Sequence, residues 1–287
     1  MQPSIVGIIL GLVLAAPAWS QPAGPASPAF EKVEFDSAAR PLGKLQERLA
    51  RQRGEDPKPT PGIHLQAYLA KPDGSGPFPA VVVLHGCRGT TPLEREKLPG
   101  LLVSSGYVAL SVDSFTARKA EEACVKEPGS VDRISDAYGA LAYLAAQPFV
   151  DRKRVGLVGV SMGARAVLAL AEHGVGEGVI NPENLMFRAG VAYYPRCGVL
   201  TDKATFPLLI MVGREDQWTP ARACEELAAG RASDSAPVEL TIYPGAHHGF
   251  VEEDWTSGQG FKVEYNGDAA AESLRRAREF LDRHVKG

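Results

Sequence analysis

A serine set between two glycines, Gly159-Val160-Ser161-Met162-Gly163, is the first place in this chain where residue types and spacing point to chemistry. The run VGLVG leads into it as a strand, and MGARAVLALAEH leads out as a helix. A strand that turns sharply into a helix lifts the serine oxygen above a sheet, where it can attack a carbonyl carbon. Glycines on either side suit a tight turn past which other backbone runs closely. The same five residues would also suit a serine that only caps a helix, so the motif needs partners.

Those partners are an imidazole to take the hydroxyl proton and a carboxylate to orient the imidazole. Where a strand-to-helix elbow carries the serine, the acid and then the histidine follow it along the chain. The strand-like run LLIMVG (208–213) is followed by Arg214-Glu215-Asp216-Gln217-Trp218-Thr219-Pro220. The run VELTIY (238–243) is followed by Pro244-Gly245-Ala246-His247-His248-Gly249-Phe250. Ser161, Asp216 and His248 thus each follow a different strand, at the edge where open α/β sheets bind ligands. Glu215 and His247 stand beside them with the same chemistry and remain alternatives, although the spacing from Gly213 favours Asp216. Charge developing on the substrate oxygen needs donors. Met162 N–H directly follows the serine, and Cys87 N–H lies in the loop His85-Gly86-Cys87-Arg88-Gly89 after the run AVVVL. His85 precedes the serine in the chain and is read as fixing that loop rather than as the base.

The elements that must position these groups alternate. Strands are expected at 63–70, 80–84, 107–112, 155–160, 189–194, 208–213 and 238–243. Helices are expected at 93–105, 131–147, 162–173, 220–230 and 268–285, with Ile134, Ala137, Leu141 and Leu144 on one face of the second. Such alternation implies right-handed crossovers and a mostly parallel central sheet with helices on both faces. No linker splits residues 63–287, which are read as one domain. Residues 21–62 form a leader and edge segment, with a short edge strand at 33–35, a basic, partly helical stretch at 40–53 and a breaker, DPKPTPG, at 56–62.

Composition sets the outer bounds. With 287 residues, 45% apolar and 23% charged, the chain is globular rather than disordered or fibrous. A net charge of −3 leaves no footprint for nucleic acid. The apolar run 5–16 is shorter than the roughly 20 residues of a membrane span. Ala18-Trp19-Ser20 follows it, so residues 1–20 are expected to be a signal peptide and the protein exported, periplasmic or secreted. Cys87, Cys124, Cys197 and Cys224 remain after cleavage, an even number that favours disulfides in an oxidising compartment. No Cys-x-x-Cys occurs and no histidine stands at zinc-finger spacing from a cysteine, so no metal site is expected.

Taken together, PDGSGPFPAVVVLHGCRG, VDSFTARKAEEAC, GVSMGA, YYPRCG, GREDQWTP and YPGAHHGF resemble the dienelactone hydrolase family over about residues 63–285. The resemblance implies an α/β-hydrolase fold, a nucleophile–His–Asp triad and no cofactor, and it selects Asp216 and His248 over their neighbours. It implies a serine hydrolase acting on a carboxylic ester or lactone, with a small molecule as its partner. The alternatives are a peptidase or acyltransferase on the same scaffold, or a non-catalytic exported binding protein. The family's founding enzymes resemble cysteine hydrolases armed by a glutamate, whereas Ser161 and Gly86 stand at those positions here. Arg118 resembles an arginine that holds a substrate carboxylate, with a structural surface pair as the alternative. A second such arginine, expected shortly after the histidine, is replaced by the acidic stretch Phe250-Val251-Glu252-Glu253-Asp254. In the implied fold, Cys87 and Cys124 follow neighbouring strands, as do Cys197 and Cys224. The bridges Cys87–Cys124 and Cys197–Cys224 are therefore expected, one of three possible connectivities.

Overall fold

The computed structural model describes residues 30–120, 124, 131–199, 203–230, 232–255 and 260–287. The expected signal peptide and the leader up to residue 29 lie outside the described residues. The strands are β1 (Glu31–Asp36), β2 (His64–Ala70), β3 (Phe78–Leu84), β4 (Val108–Asp113), β5 (Val150–Val160), β6 (Gly190–Tyr193), β7 (Leu208–Gly213) and β8 (Val238–Tyr243). They form one sheet in the order β1-β2-β4-β3-β5-β6-β7-β8. β2 runs antiparallel to both β1 and β4, and every other pairing is parallel. The helices are α1 (Lys44–Gln52), α2 (Leu98–Ser104), α3 (Arg133–Ala145), α4 (Met162–Ala171), α5 (Ala221–Ala229) and α6 (Gly267–Leu281). This is an α/β-hydrolase fold.

The uniformly apolar runs became the inner strands. β4 and β7 are buried along their whole length, and β3 everywhere but at Phe78, because helices cover both faces of a parallel sheet. The two strands at the β1 edge keep the alternating pattern. In β1 only Val33 and Phe35 point inward, and the Phe35 ring lies 5.8 Å from that of Tyr143 on α3. The edge strand expected at 33–35 is thus longer and belongs to the main sheet. β5 also starts earlier than its apolar run, since Asp151-Arg152-Lys153-Arg154 disguise an exposed strand end. The stretch at 93–105 is not one regular helix. Leu93–Lys97 winds as a π-type turn, and Pro99 then stands in the first turn of α2, where no N–H is needed.

Two helix starts are fixed by side chains written into the sequence. Asp132 accepts from Ser135 N–H at 3.1 Å to cap α3, and Asn266 accepts from Ala269 N–H at 3.1 Å to cap α6. α3 lies so close to the end of β1 that a Cβ on Gly139 would run into the carbonyl oxygen of Asp36. Gly139→Ala should therefore lower stability by about 1–3 kcal/mol despite alanine's better helix propensity. A thermal melt checks this, and an unchanged or higher midpoint would show that β1 gives way freely.

Candidate active site

β3, β5, β6, β7 and β8 are parallel neighbours, so the loops after them gather at one rim. Ser161 stands at the β5–α4 elbow with φ +50° and ψ −108°, a conformation that a non-glycine residue adopts only under constraint. The constraint is backbone contact. A Cβ on Gly163 would meet the carbonyl of Leu84, and one on Gly159 would meet Gly163 itself. Both glycines of the motif are thus required by close approach, and Ser161 N–H is tied to Tyr193 O at 2.9 Å.

Ser161 Oγ lies 3.1 Å from His248 Nε2, and His248 Nδ1 lies 2.7 Å from Asp216 Oδ2. The Asp216 carboxylate is filled by further donors. Oδ1 accepts from the N–H groups of Trp218 (2.9 Å) and Thr219 (2.8 Å), and Oδ2 accepts from the Thr219 hydroxyl (2.7 Å). A carboxylate held this way cannot swing from the imidazole, and Nδ1 must carry the proton that it donates. The His248 side chain is 1% exposed and that of Asp216 is fully buried.

The two alternatives left open by spacing have a different use. His247 Nδ1–H donates to the main-chain oxygen of Glu215 at 3.0 Å, and Glu215 N–H donates to Ala246 O at 3.0 Å. These bonds join the acid loop to the histidine loop. Gly213 lets them meet, because a Cβ there would strike Ala246 O. His248, not His247, and Asp216, not Glu215, are the pair brought to Ser161.

The loop after β3 passes beside the serine, so that a Cβ on Gly86 would sit 3.6 Å from Ser161 Cβ. Met162 opens α4, where the first N–H groups have no intrahelical acceptor. Cys87 sits in that loop and is bridged to Cys124, with Cα atoms 4.7 Å apart. The second bridge, Cys197–Cys224, has Cα atoms 4.9 Å apart. His85 is fully buried. Its Nδ1–H donates to Gly86 O (2.7 Å) and its Nε2 accepts from Ser114 N–H (3.2 Å), which is a neutral, structural tautomer. Burial, and then the Arg133 charge, push it down to about 3.

Arg118, compared in sequence with a carboxylate-holding arginine, is engaged within the protein. Its guanidinium donates to both oxygens of Asp136 (2.9 and 2.7 Å) and to Ser114 O (2.7 Å). The two side chains are 6% and 0% exposed, so this cation neutralises an interior carboxylate.

Tyr194, Glu94 and the Glu252–Arg88 pair carried no signal in the sequence, whereas Trp218 and Trp255 could be read there either as lining the site or as packing. Thr219 follows Asp216 by three positions, and that spacing was the only hint of its bond to the carboxylate. The rings of Tyr194, Trp218 and Trp255 lie 4.7, 4.9 and 5.6 Å from His248 and enclose the imidazole. Beneath them Glu252, four residues past His248, is buried. It accepts from Tyr194 OH (2.9 Å) and from Arg88 Nη1 (3.2 Å). Glu94, also buried, accepts from Thr91 N–H at 3.0 Å and from Gly86 N–H at 3.4 Å. A clamp between the loop after β3 and the loop after β8 forms only in three dimensions, because its members are distant along the chain.

Burial, reinforced by the nearby Glu94, raises Glu252 to about 8 from its ordinary value of 4.5. Between those two values the folded protein holds a proton that the unfolded chain has released, so stability falls as pH rises from about 4.5 to about 8. Glu252→Gln keeps the shape without the ionisation. Its melting temperature should decline less than that of the unsubstituted protein between roughly pH 5 and 9. Melts across that range check this, and parallel curves would rule it out.

With this geometry in place, comparisons with known proteins are informative. Residues 65–285 match the model of the Dienelactone hydrolase family. A Synechocystis sp. protein named "Putative carboxymethylenebutenolidase" is 23% identical over 246 residues, covering 79% of this chain and 95% of that one. Among solved structures, a thermophilic esterase from the Planctomycetes species Thermogutta terrifontis, with propionate bound, is similar with a TM-score of 0.60 and 19% identity, covering 77% of this chain and 90% of that one. A dienelactone hydrolase-like promiscuous phosphotriesterase from metagenomic libraries is similar with a TM-score of 0.64 and 18% identity, covering 89% and 99%. Those two likenesses are of fold; the match to the family model spans most of the chain, which therefore belongs to the dienelactone hydrolase family.

Proposed function

We propose that this hydrolase cleaves a carboxylic ester or lactone through an acyl-enzyme formed on Ser161. The observation that carries this reading is the unbroken path Ser161 Oγ–His248 Nε2 (3.1 Å) and His248 Nδ1–Asp216 Oδ2 (2.7 Å) across three separate loops. As Oγ attacks the carbonyl carbon, Nε2 takes its proton. Asp216 keeps the imidazole in the tautomer whose Nε2 lone pair faces the hydroxyl, and it stabilises the cation that forms. Met162 N–H and Cys87 N–H receive the developing oxyanion. Collapse of the tetrahedral intermediate expels the alcohol with the proton from His248. Water, deprotonated by the same nitrogen, then releases the acid and restores the serine.

Nothing in this scheme calls for a cofactor. The two disulfides suit an oxidising compartment, which supports an exported protein. Among the described residues no helix is long and apolar enough to cross a membrane. Ser161→Ala should reduce ester turnover by about 10³-fold or more with the circular dichroism spectrum unchanged. It should also abolish labelling by a fluorophosphonate. His248→Ala should be far more damaging than His247→Ala, since only His248 reaches the serine hydroxyl. Turnover and labelling that survive in Ser161→Ala would overturn the assignment.

A further inference from the structure

The reactive groups make no use of the basic helix α1, which lies between the edge strand β1 and β2. Ala50 is its only buried residue. At 3.6 residues per turn, Arg48 points almost directly away from Ala50, with Leu45 and Leu49 on one flank and Lys44 and Arg51 on the other. Leu45 is 58% exposed and Leu49 is 42% exposed. A helix of nine residues is marginal alone in water. Leucines at i and i+4 turned to solvent leave unused the burial that ordinarily holds such a helix.

The cations of α1 are unpaired as well. On α5 and α6, Arg222, Arg275 and Arg276 each pair with a glutamate of their own helix. Among the described residues Lys44, Arg48 and Arg51 have no such pair, although Glu47 shares their helix. Together with Glu47 and Gln52 they line an open hollow of about 380 Å³. Residues 40–58 hold six Lys or Arg against three Asp or Glu, in a chain whose net charge is −3. The positive surplus is therefore local.

Exposed leucines beside unpaired cations on one convex face match an anionic bilayer. There, apolar side chains enter the acyl boundary while Lys and Arg reach the phosphates. A second copy of the chain fits this face poorly, because two-fold pairing would crowd the same three cations of both copies together. An acidic protein surface would answer the cations and not the leucines.

We propose that α1 is a docking surface for anionic phospholipid membranes, seated by Leu45 and Leu49 and held by Lys44, Arg48 and Arg51. This does not depend on the hydrolase reading.

The test uses purified protein starting at Gln21, after the expected cleavage point, so that the apolar run 5–16 cannot itself bind lipid. Co-sedimentation compares vesicles of equal parts phosphatidylglycerol and phosphatidylcholine with vesicles of phosphatidylcholine alone. The anionic vesicles should bind at least about tenfold more protein, and the difference should shrink as salt rises from about 0.05 to about 0.5 M. Lys44→Glu with Arg48→Glu should cut binding by about tenfold or more, whereas Arg222→Glu, a reversal at another exposed helix, should cut it far less. Leu45→Gln with Leu49→Gln keeps every charge and should still cut binding by about fivefold or more. All these variants should keep the melting temperature and the soluble-ester turnover of the unsubstituted protein. Equal binding to both kinds of vesicle, no binding to either, or binding unmoved by either double substitution overturns the proposal. Self-association that the leucine substitutions abolish, without lipid binding, would give the face to a second copy instead. Capture by poly-glutamate without lipid binding would give it to an acidic protein instead.

Discussion

One imidazole bonded on both sides is the constraint on which the rest of this structure depends. His248 can present a lone pair to Ser161 only while its other nitrogen donates to Asp216, so two distances, 3.1 and 2.7 Å, must hold together. Neither bond is local. The serine, the acid and the base come from the ends of β5, β7 and β8, and no short stretch of chain fixes their separation. The parallel sheet does this, by bringing the carboxyl ends of adjacent strands to a single rim. The cross-link between the Glu215 and His247 loops then removes the remaining freedom. Tyr194, Trp218 and Trp255 enclose the ring, so water has little access to compete for either nitrogen.

This arrangement demands unusually close backbone contact. The carbonyls of Leu84 and Ala246 occupy the space that side chains would fill at Gly163 and Gly213. Ser161 is held at positive φ by the strand before it and the helix after it, both anchored in the core. Local strain at the reactive residue is thus carried by the cooperative stability of the whole sheet. The Cys87–Cys124 bridge adds a covalent hold on the loop after β3, where the non-covalent packing is a small satellite cluster rather than the main core.

Much of this was legible from residue order. The apolar runs gave the inner strands because a strand buried on both faces must be apolar throughout. The motif around Ser161 and the two loops after LLIMVG and VELTIY named three side chains that the structure brings together, because each lies just past a strand end. Choosing between His247 and His248 was harder. Adjacent residues share sequence context, and only the direction of the chain after β8 decides which ring faces the serine. The partner of Arg118 could not be read from its own neighbourhood, because Asp136 reaches it from another element. The Glu252–Tyr194–Arg88 clamp escaped notice for the same reason, as did the early start of β5, where charged side chains cover an exposed strand end. What was missed is what long-range packing determines.

The backbone-to-backbone contacts under the serine also have a bearing on how such a molecule can be altered. Where main-chain atoms already touch, there is no spare volume to redesign, and even a methyl group is excluded at Gly159 and Gly163. Tailoring of this scaffold is therefore confined to its mouth. Phe261, 38% exposed and stacked on the Trp218 ring, lies away from the main-chain contacts under the serine, so exchange there leaves the elbow untouched. A library built at that position would vary the surface at small risk to folding, whereas one built at the elbow would mostly yield misfolded protein.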